Sequence, residues 1–300
     1  MIKVTPLGIS GALPTPTRSC SSFAVTFGGV YLFDCCEGAQ KQMMKYGVSY
    51  AQVKAIFISH LHADHFLGLF GLVHTLNFIG RKEPLVIYGP KGTKEFLGKV
   101  FAMNEFKPHN FQIELFEVID TKKSFFSNTL FDVKAFKVKH NAPHALGFIL
   151  ESKSYRRFDE SKAKKLGVKG RMFGELQAKG KLNVNGKTIK YQDVTYEQKG
   201  KKIVYTGDTL GNVASIATAA KEADLLIHDS SFCEEHKDHA KAKTHSTAKQ
   251  AALNAKKAKV KQLMLTHFSN RYENLDLVLN EAKTEFENTI LAQAGVAITV

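Results

Sequence analysis

The stretch AIFISHLHADHFLGLF, Ala55 to Phe70, decides how this chain is read. An apolar run, Ala55 to Ile58, gives way at once to His60, His62, Asp64 and His65. Residues two apart along a strand share a face, so such a run reads as a strand delivering the chain to a sheet edge, with a tight loop presenting the polar groups. Three imidazoles and a carboxylate this close together repel one another if protonated and waste hydrogen-bonding capacity if buried without a cation. The pattern His-x-His-x-Asp-His therefore points to a metal site.

Further apolar runs end in the same way. FKVKH runs into His140, KIVYTGD into Asp208, LLIHD into His228 and Asp229, and LMLTH into His267. Alternation in FKVKH puts Phe136, Val138 and His140 on one strand face. His144 competes with His140 for the same role, and the alternating strand favours His140. With His140, Asp208 and His267 there are seven candidate ligands, more than one tetrahedral ion accepts, which implies two ions sharing a carboxylate. Imidazole and carboxylate suit Zn²⁺, with Mn²⁺ or Fe²⁺ compatible. His74, His109, His236 and His239 fall outside any such pattern and read as surface or hydrogen-bonded residues.

The rest of the composition bounds the protein class. At 300 residues and 44% hydrophobic content the chain can bury a substantial core. The N-terminus has no basic segment followed by an apolar run, and no stretch approaches about 18 uninterrupted apolar residues, so a cytoplasmic protein with no membrane partner is expected. Cys20, Cys35, Cys36 and Cys233 lack zinc-ribbon spacing and read as buried thiols of a reducing compartment.

A net charge of +14 points to a polyanionic partner. More than half of it sits between Glu151 and Lys190, where twelve Lys/Arg face four acids. That segment is rich in glycine and poor in large aliphatics, so it is expected to bury little core and to form an arm inserted in an α/β domain.

The histidine pattern is similar to that of the metallo-β-lactamase superfamily, whose signature is His-x-His-x-Asp-His completed by a later His, Asp and His. This resemblance implies an α/β fold, an αββα four-layer sandwich spanning residues 1–300 with the basic arm 151–190 inserted in it. By position, His60, His62 and His140 would hold one metal, Asp64, His65 and His267 the other, and Asp208 would bridge, giving two Zn²⁺ per subunit. LGISGALPTPTRSCSS (Leu7–Ser22), LFDCCEGAQKQMMKYG (Leu32–Gly47), LLIHDSSF (Leu225–Phe232), THSTAKQAA (Thr244–Ala252) and LTHFSNRY (Leu265–Tyr272) together resemble the short form of the ribonuclease Z family. The family usually has Gly at Cys36, Glu at Asp229, and often a Gly-Pro-containing arm where this chain reads GVKGRMFGELQAKG.

What this second resemblance implies is a zinc-dependent endoribonuclease that removes the 3′ trailer from precursor tRNA, leaving a 3′-hydroxyl on the tRNA and a 5′-phosphate on the trailer. Asp64 would orient the attacking nucleophile, and His245, backed by Asp229, would relay a proton to the leaving oxygen. Thr247 and Gln250, at capping-box spacing, place His245 just ahead of a helix. Ser269 and Arg271 would contact the substrate phosphate, and Arg156, Arg157, Lys164, Lys165, Lys169 and Arg171 of the arm would grip the tRNA. The family also implies a homodimer. A competing reading is a small-molecule hydrolase of the same fold, a lactonase or thioesterase, which has no use for a basic arm.

Overall fold

A computed structural model describes every residue of the chain except Asn212. Two compact units are present, Met1–Glu151 with Lys202–Val300, and Ser152–Lys201.

In chain order the larger unit opens with β1 (Lys3–Gly8), β2 (Ser22–Thr26), β3 (Val30–Phe33), β4 (Val53–Phe57), β5 (Leu85–Gly89) and β6 (Ile113–Glu117), and continues with β7 (Ser124–Ser127), β8 (Phe131–Lys137) and β9 (Leu146–Ser152). The smaller unit holds β10 (Tyr155–Phe158), β11 (Lys181–Val184), β12 (Lys187–Lys190) and β13 (Thr195–Gln198). The chain then returns through β14 (Lys202–Tyr205), β15 (Leu225–Asp229), β16 (Leu263–Thr266), β17 (Thr289–Leu291) and β18 (Ile298–Thr299).

Two seven-stranded sheets result, ordered β18-β1-β2-β3-β4-β5-β6 and β17-β16-β15-β14-β9-β8-β7. Each is mixed. β3, β4, β5 and β6 run parallel in the first, β14 to β17 in the second, and antiparallel pairs flank both groups. Parallel strands need crossover connections and carry helices on their outer faces, which is why the apolar runs here are nearly continuous and not alternating.

The sheets face each other through an aromatic layer of Phe23, Phe33, Phe57, Phe148 and Tyr205, with ring centroids 5.2–6.1 Å apart. Outside the first sheet, Leu7, Leu32, Ile56 and Ile87 pack on Met43, Leu69, Leu72 and Leu97 from the helices Ala39–Lys45, Gly68–Phe78 and Thr93–Ala102. Outside the second, Leu226 and Met264 pack with the alanine face of the helix Ala248–Ala258. The four layers are helix, sheet, sheet, helix. Among the described residues no helix is long and apolar enough to cross a membrane.

Glycine matters where backbones meet. A Cβ on Gly68 would stand 1.8 Å from the carbonyl oxygen of Cys36, so no other residue lets the helix that follows the histidine loop pack on the Cys35–Cys36 backbone.

The smaller unit corrects the expectation that the basic segment buries little. Ala163, Val168, Leu176, Val184, Ile189 and Val194 form their own buried cluster, with Phe158, Phe173 and Tyr191 packed against it and the Phe173 and Tyr191 rings edge-on to that of Phe158. The cluster closes because the chain returns beyond Lys190, where β13 pairs antiparallel with β10 and Val194 fills the centre. Asn185 and Gly186, both at positive φ, make the two-residue turn between β11 and β12. Apolar residues spaced through a polar segment thus suffice for a small core once several short elements pack together.

Candidate metal centre and catalytic cleft

The loop 58–62 after β4 is laced into both sheets before it presents any histidine. Ile58 donates to the Tyr88 carbonyl, and the Ser59 carbonyl accepts from Leu146 at the start of β9. Cys35 N–H donates to the His65 carbonyl, and His62 sits at the N-cap of the short helix Ala63–Phe66. The loops after β14 and β16 bring Asp208 and His267 to the same edge, the latter with φ of 62°, a left-handed conformation that a non-glycine residue adopts at a steric cost.

His140 arrives differently from the alternation argument. β8 ends at Lys137, and His140 lies in the following loop, where its Nδ1 meets the Thr244 carbonyl at 3.0 Å. Its side chain is nonetheless almost wholly covered, 1% exposed, while His144 is exposed and belongs to none of the ligand clusters among the described residues.

The side chains gather into two adjoining sets, His60, His62 and His140, and Asp64, His65, Asp208 and His267, with potential ligand atoms within 4.8 Å of one another in each. Asp208 reaches both. Its Oδ2 lies 3.1 Å from His267 Nε2, 3.4 Å from His65 Nε2, 3.8 Å from His140 Nε2 and 3.9 Å from His60 Nε2. His60 Nε2, Asp64 Oδ2, His65 Nε2 and His267 Nε2 are buried and make no hydrogen bond. Leaving such an atom unpaired costs about 1–3 kcal/mol, so four of them together rival a domain's whole net stability. A cation is the group that satisfies all four at once.

Charge balance argues the same way. Burial opposes ionisation of Asp208 and Asp64, yet His267 and His65 hold both carboxyls far below their usual range. Burial likewise opposes charge on His65 and His267, but Asp208 and then Asp34 raise the former well above its ordinary value, and Asp208 with Asp64 pushes the latter to about 10. His60 goes the other way, lowered by burial and by the neighbouring His65. These carboxylates demand positive charge at the cluster, and a metal supplies it without protonating the ligands.

Residues that carry no metal-ligand signal orient these histidines. Asp34, fully buried one residue past β3 and at φ of 58°, accepts from Ser59 N–H at 2.7 Å, Ser59 Oγ at 2.8 Å, Tyr205 Oη at 2.7 Å and His65 Nδ1 at 2.8 Å. Since the Ser59 hydroxyl proton goes to Asp34, its oxygen accepts from His60 Nδ1 at 3.0 Å. Both imidazoles therefore carry the proton on Nδ1 and turn an Nε2 lone pair to the cluster. Asp229 repeats the device, taking the Ser231 hydroxyl at 2.7 Å while Ser231 accepts from His267 Nδ1 at 2.9 Å. Gly207, at φ of 58° beside Ser59, gives the loop room for this arrangement. The one available signal for Asp34 was its place at the end of the apolar run VYLFD.

His245 joins Asp208, Asp229 and His267 in a third group of potential ligand atoms. Its Nδ1 lies 2.8 Å from Asp229 Oδ2, and its ring stacks on that of His267 at 4.9 Å. The aspartate, one methylene shorter than the family's usual glutamate, still reaches because it is buried at the end of β15 and held by Thr209 and Ser231 N–H groups. Thr247 and Gln250 form the expected capping box two residues later. His228, the neighbour of Asp229, points away and is fully hydrogen-bonded to the Asp229 carbonyl and Asn254.

A cleft of about 420 Å³ opens over these groups, lined by His62, Asp64, His140, Asp208, His245 and His267 and bordered by Phe232, Lys243, Ser269 and Arg271. The Arg271 guanidinium lies over the Phe232 ring at 4.8 Å, and its Nε donates to Ser269 Oγ at 3.3 Å. In the smaller unit Arg157, Lys164, Lys165, Lys169 and Arg171 are exposed. Arg156 differs, since its guanidinium is spent on the Thr195 hydroxyl and carbonyl at 2.8 and 2.9 Å and braces β10 against β13.

Known proteins share these features. The beta-lactamase superfamily domain matches residues 30–158 and 177–268. The chain is 41% identical to ribonuclease Z of Methanosarcina mazei across 98% of its own length and 96% of that protein, and 39% identical to ribonuclease Z of Archaeoglobus fulgidus across 100% and 98%. It is similar to the crystal structure of the short form of human tRNase Z, with a TM-score of 0.71, 29% identity and coverage of 99% and 98%. With near full-length relatives at this identity and the metallo-β-lactamase layers around the histidine clusters, the chain belongs to the ribonuclease Z family.

Proposed function

We propose that this chain is a zinc-dependent endoribonuclease that removes the 3′ trailer from precursor tRNA, leaving a 3′-hydroxyl on the tRNA and a 5′-phosphate on the trailer. Family membership supports the reaction. The observation that carries it at the site is the His245–Asp229 pair, 2.8 Å apart at the wall of the cleft and next to the ligand clusters.

His60, His62 and His140 would hold one ion, Asp64, His65 and His267 the other, and Asp208 would serve both. When bound there, two such ions would supply positive charge to the phosphodiester and make a nucleophile available from water near neutral pH. Asp64 orients that nucleophile. His245 keeps its Nδ1–H on Asp229, so Nε2 is the atom that delivers a proton to the leaving 3′ oxygen. Arg271, steadied by Ser269 and Phe232, holds a phosphate oxygen with its planar fork. Arg271 and Lys243 at the cleft suit an anionic phosphodiester, whereas a neutral lactone or thioester gains nothing from them. The enzyme works in the cytoplasm as a homodimer, and the exposed Phe96, Met103 and Phe106 offer apolar surface for a second copy.

Elemental analysis after mild purification is expected to give about two zinc ions per chain, and chelation should lower the melting temperature by unmasking the buried unpaired atoms. Zero or one tightly bound ion would contradict the binuclear assignment.

The basic unit supplies the grip on the tRNA body through Arg157, Lys164, Lys165, Lys169 and Arg171. Glu151 and Lys202 are partners in the β9–β14 ladder, so a short turn can replace everything between them. That deletion is expected to raise KM for precursor tRNA and to flatten the fall of affinity with salt, by roughly 0.7–0.9 units of log–log slope for each phosphate no longer held. Hydrolysis of bis(p-nitrophenyl) phosphate should persist. Unchanged tRNA affinity and slope would rule the grip out, and loss of both activities would make the unit a support of the fold.

A further inference from the structure

His245 lines a second pocket of about 230 Å³ in addition to the cleft. Three of its lining residues are Lys139, Lys237 and Lys241, against one carboxylate, Asp238. Lys139 immediately precedes the ligand candidate His140, and Lys237 and Lys241 lie four apart on the helix Lys237–Ala242. All three side chains are exposed, and among the described residues none of the three is within ion-pair distance of a carboxylate. Like charges four apart on a helix repel, and gathering a third beside them adds to that repulsion with no return inside the protein. An anion bound there would turn the repulsion into attraction.

We infer that this pocket binds the RNA phosphate immediately upstream of the scissile one, on the tRNA side. The inference rests on the reading of His245 as proton donor to the leaving oxygen. That oxygen is the 3′ oxygen of the last retained nucleotide, so the atom nearest His245 in the reaction belongs to the upstream strand. Following that sugar away from the metals, the next anionic group is its own 5′ phosphate. His245 forms a wall of both spaces, so a strand whose 3′ oxygen meets the imidazole from the cleft has its preceding phosphate within reach of the lysine pocket. The trailer leaves from the other side of the scissile phosphorus and has no such route past His245. A fixed upstream phosphate would set the register of the strand and hold the leaving oxygen in line with the attacking one.

The test uses precursor tRNA carrying a single neutral methylphosphonate, placed either at the upstream phosphate or at the first phosphate downstream of the cut. With the intact enzyme the upstream substitution is expected to lower kcat/KM by about tenfold or more, as when a charge-assisted hydrogen bond is removed, and the downstream one to cost much less. A Lys139→Ala/Lys237→Ala/Lys241→Ala variant should cleave the unmodified precursor more slowly by a similar factor and be indifferent to the upstream methylphosphonate, because both changes remove the same interaction. Its salt slope should be shallower by roughly 0.7 for each phosphate interaction removed. The inference is overturned if the intact enzyme tolerates the upstream substitution, if the variant remains as sensitive as the parent, or if sensitivity lies downstream. Failure of the underlying reading shows separately, as no cleavage of the unmodified precursor by the intact enzyme, and both then fall.

Discussion

Replacing His62 by alanine is expected to abolish tRNA cleavage, a loss of roughly 10³-fold or more, while the fold persists. His62 supplies one of only three imidazoles in the first cluster, with its Nδ1 3.2 Å from His140 Nε2 and its ring centroid 4.6 Å from that of His60. Two imidazoles and a shared carboxylate hold a cation poorly, and the several kcal/mol of charge stabilisation that a second ion gives to a phosphoryl transition state goes with it, at tenfold per 1.36 kcal/mol. The side chain is only partly buried and makes no capping bond to the helix it precedes, so little packing is lost. Circular dichroism should be unchanged and metal content should fall below two per chain. Wild-type turnover by His62→Ala in metal-replete buffer would show that the ligand map is wrong.

The second large effect is on His245. His245→Ala should slow cleavage by roughly 10² to 10⁴ with metal content intact, since it removes a general acid and not a ligand. The imidazole spends Nδ1 on Asp229, but its ligand atoms also fall in a group with those of Asp208, Asp229 and His267, so metal content is the readout that separates the two roles. Asp229→Asn should give a smaller defect of the same kind, the amide keeping an acceptor but losing the charge that stabilises the imidazolium. Loss of a metal ion from His245→Ala would instead make the histidine a ligand and leave the leaving group without its donor.

What could be read from sequence, and what could not, divides along the range of the interactions. His60, His62, Asp64 and His65 stand out in the sequence because four side chains of metal-donor type crowd one tight loop. Asp208, Asp229 and His267 follow apolar runs that are strands in the structure, so their convergence on one edge follows from parallel topology. Asp34 was not legible as an orienting group, since its partners Ser59, His65 and Tyr205 lie up to 171 residues away and only the packing of the two sheets brings them to one carboxylate. The FKVKH alternation singled out the histidine that lies in the cluster but misplaced it in a strand, because β8 stops at Lys137 and loop contacts to Thr244, not strand periodicity, aim His140. In the basic unit the scattered aliphatics hid a core whose last member, Val194, lies beyond the charge-rich segment.

Mapping both new ends produced from one precursor tRNA transcript tests the central claim most directly. The expected products are a single tRNA species ending in a 3′-hydroxyl and an intact trailer beginning with a 5′-phosphate. A ladder of shortened trailers, a 2′,3′-cyclic phosphate on the tRNA, or an uncut precursor in zinc-replete buffer would contradict it.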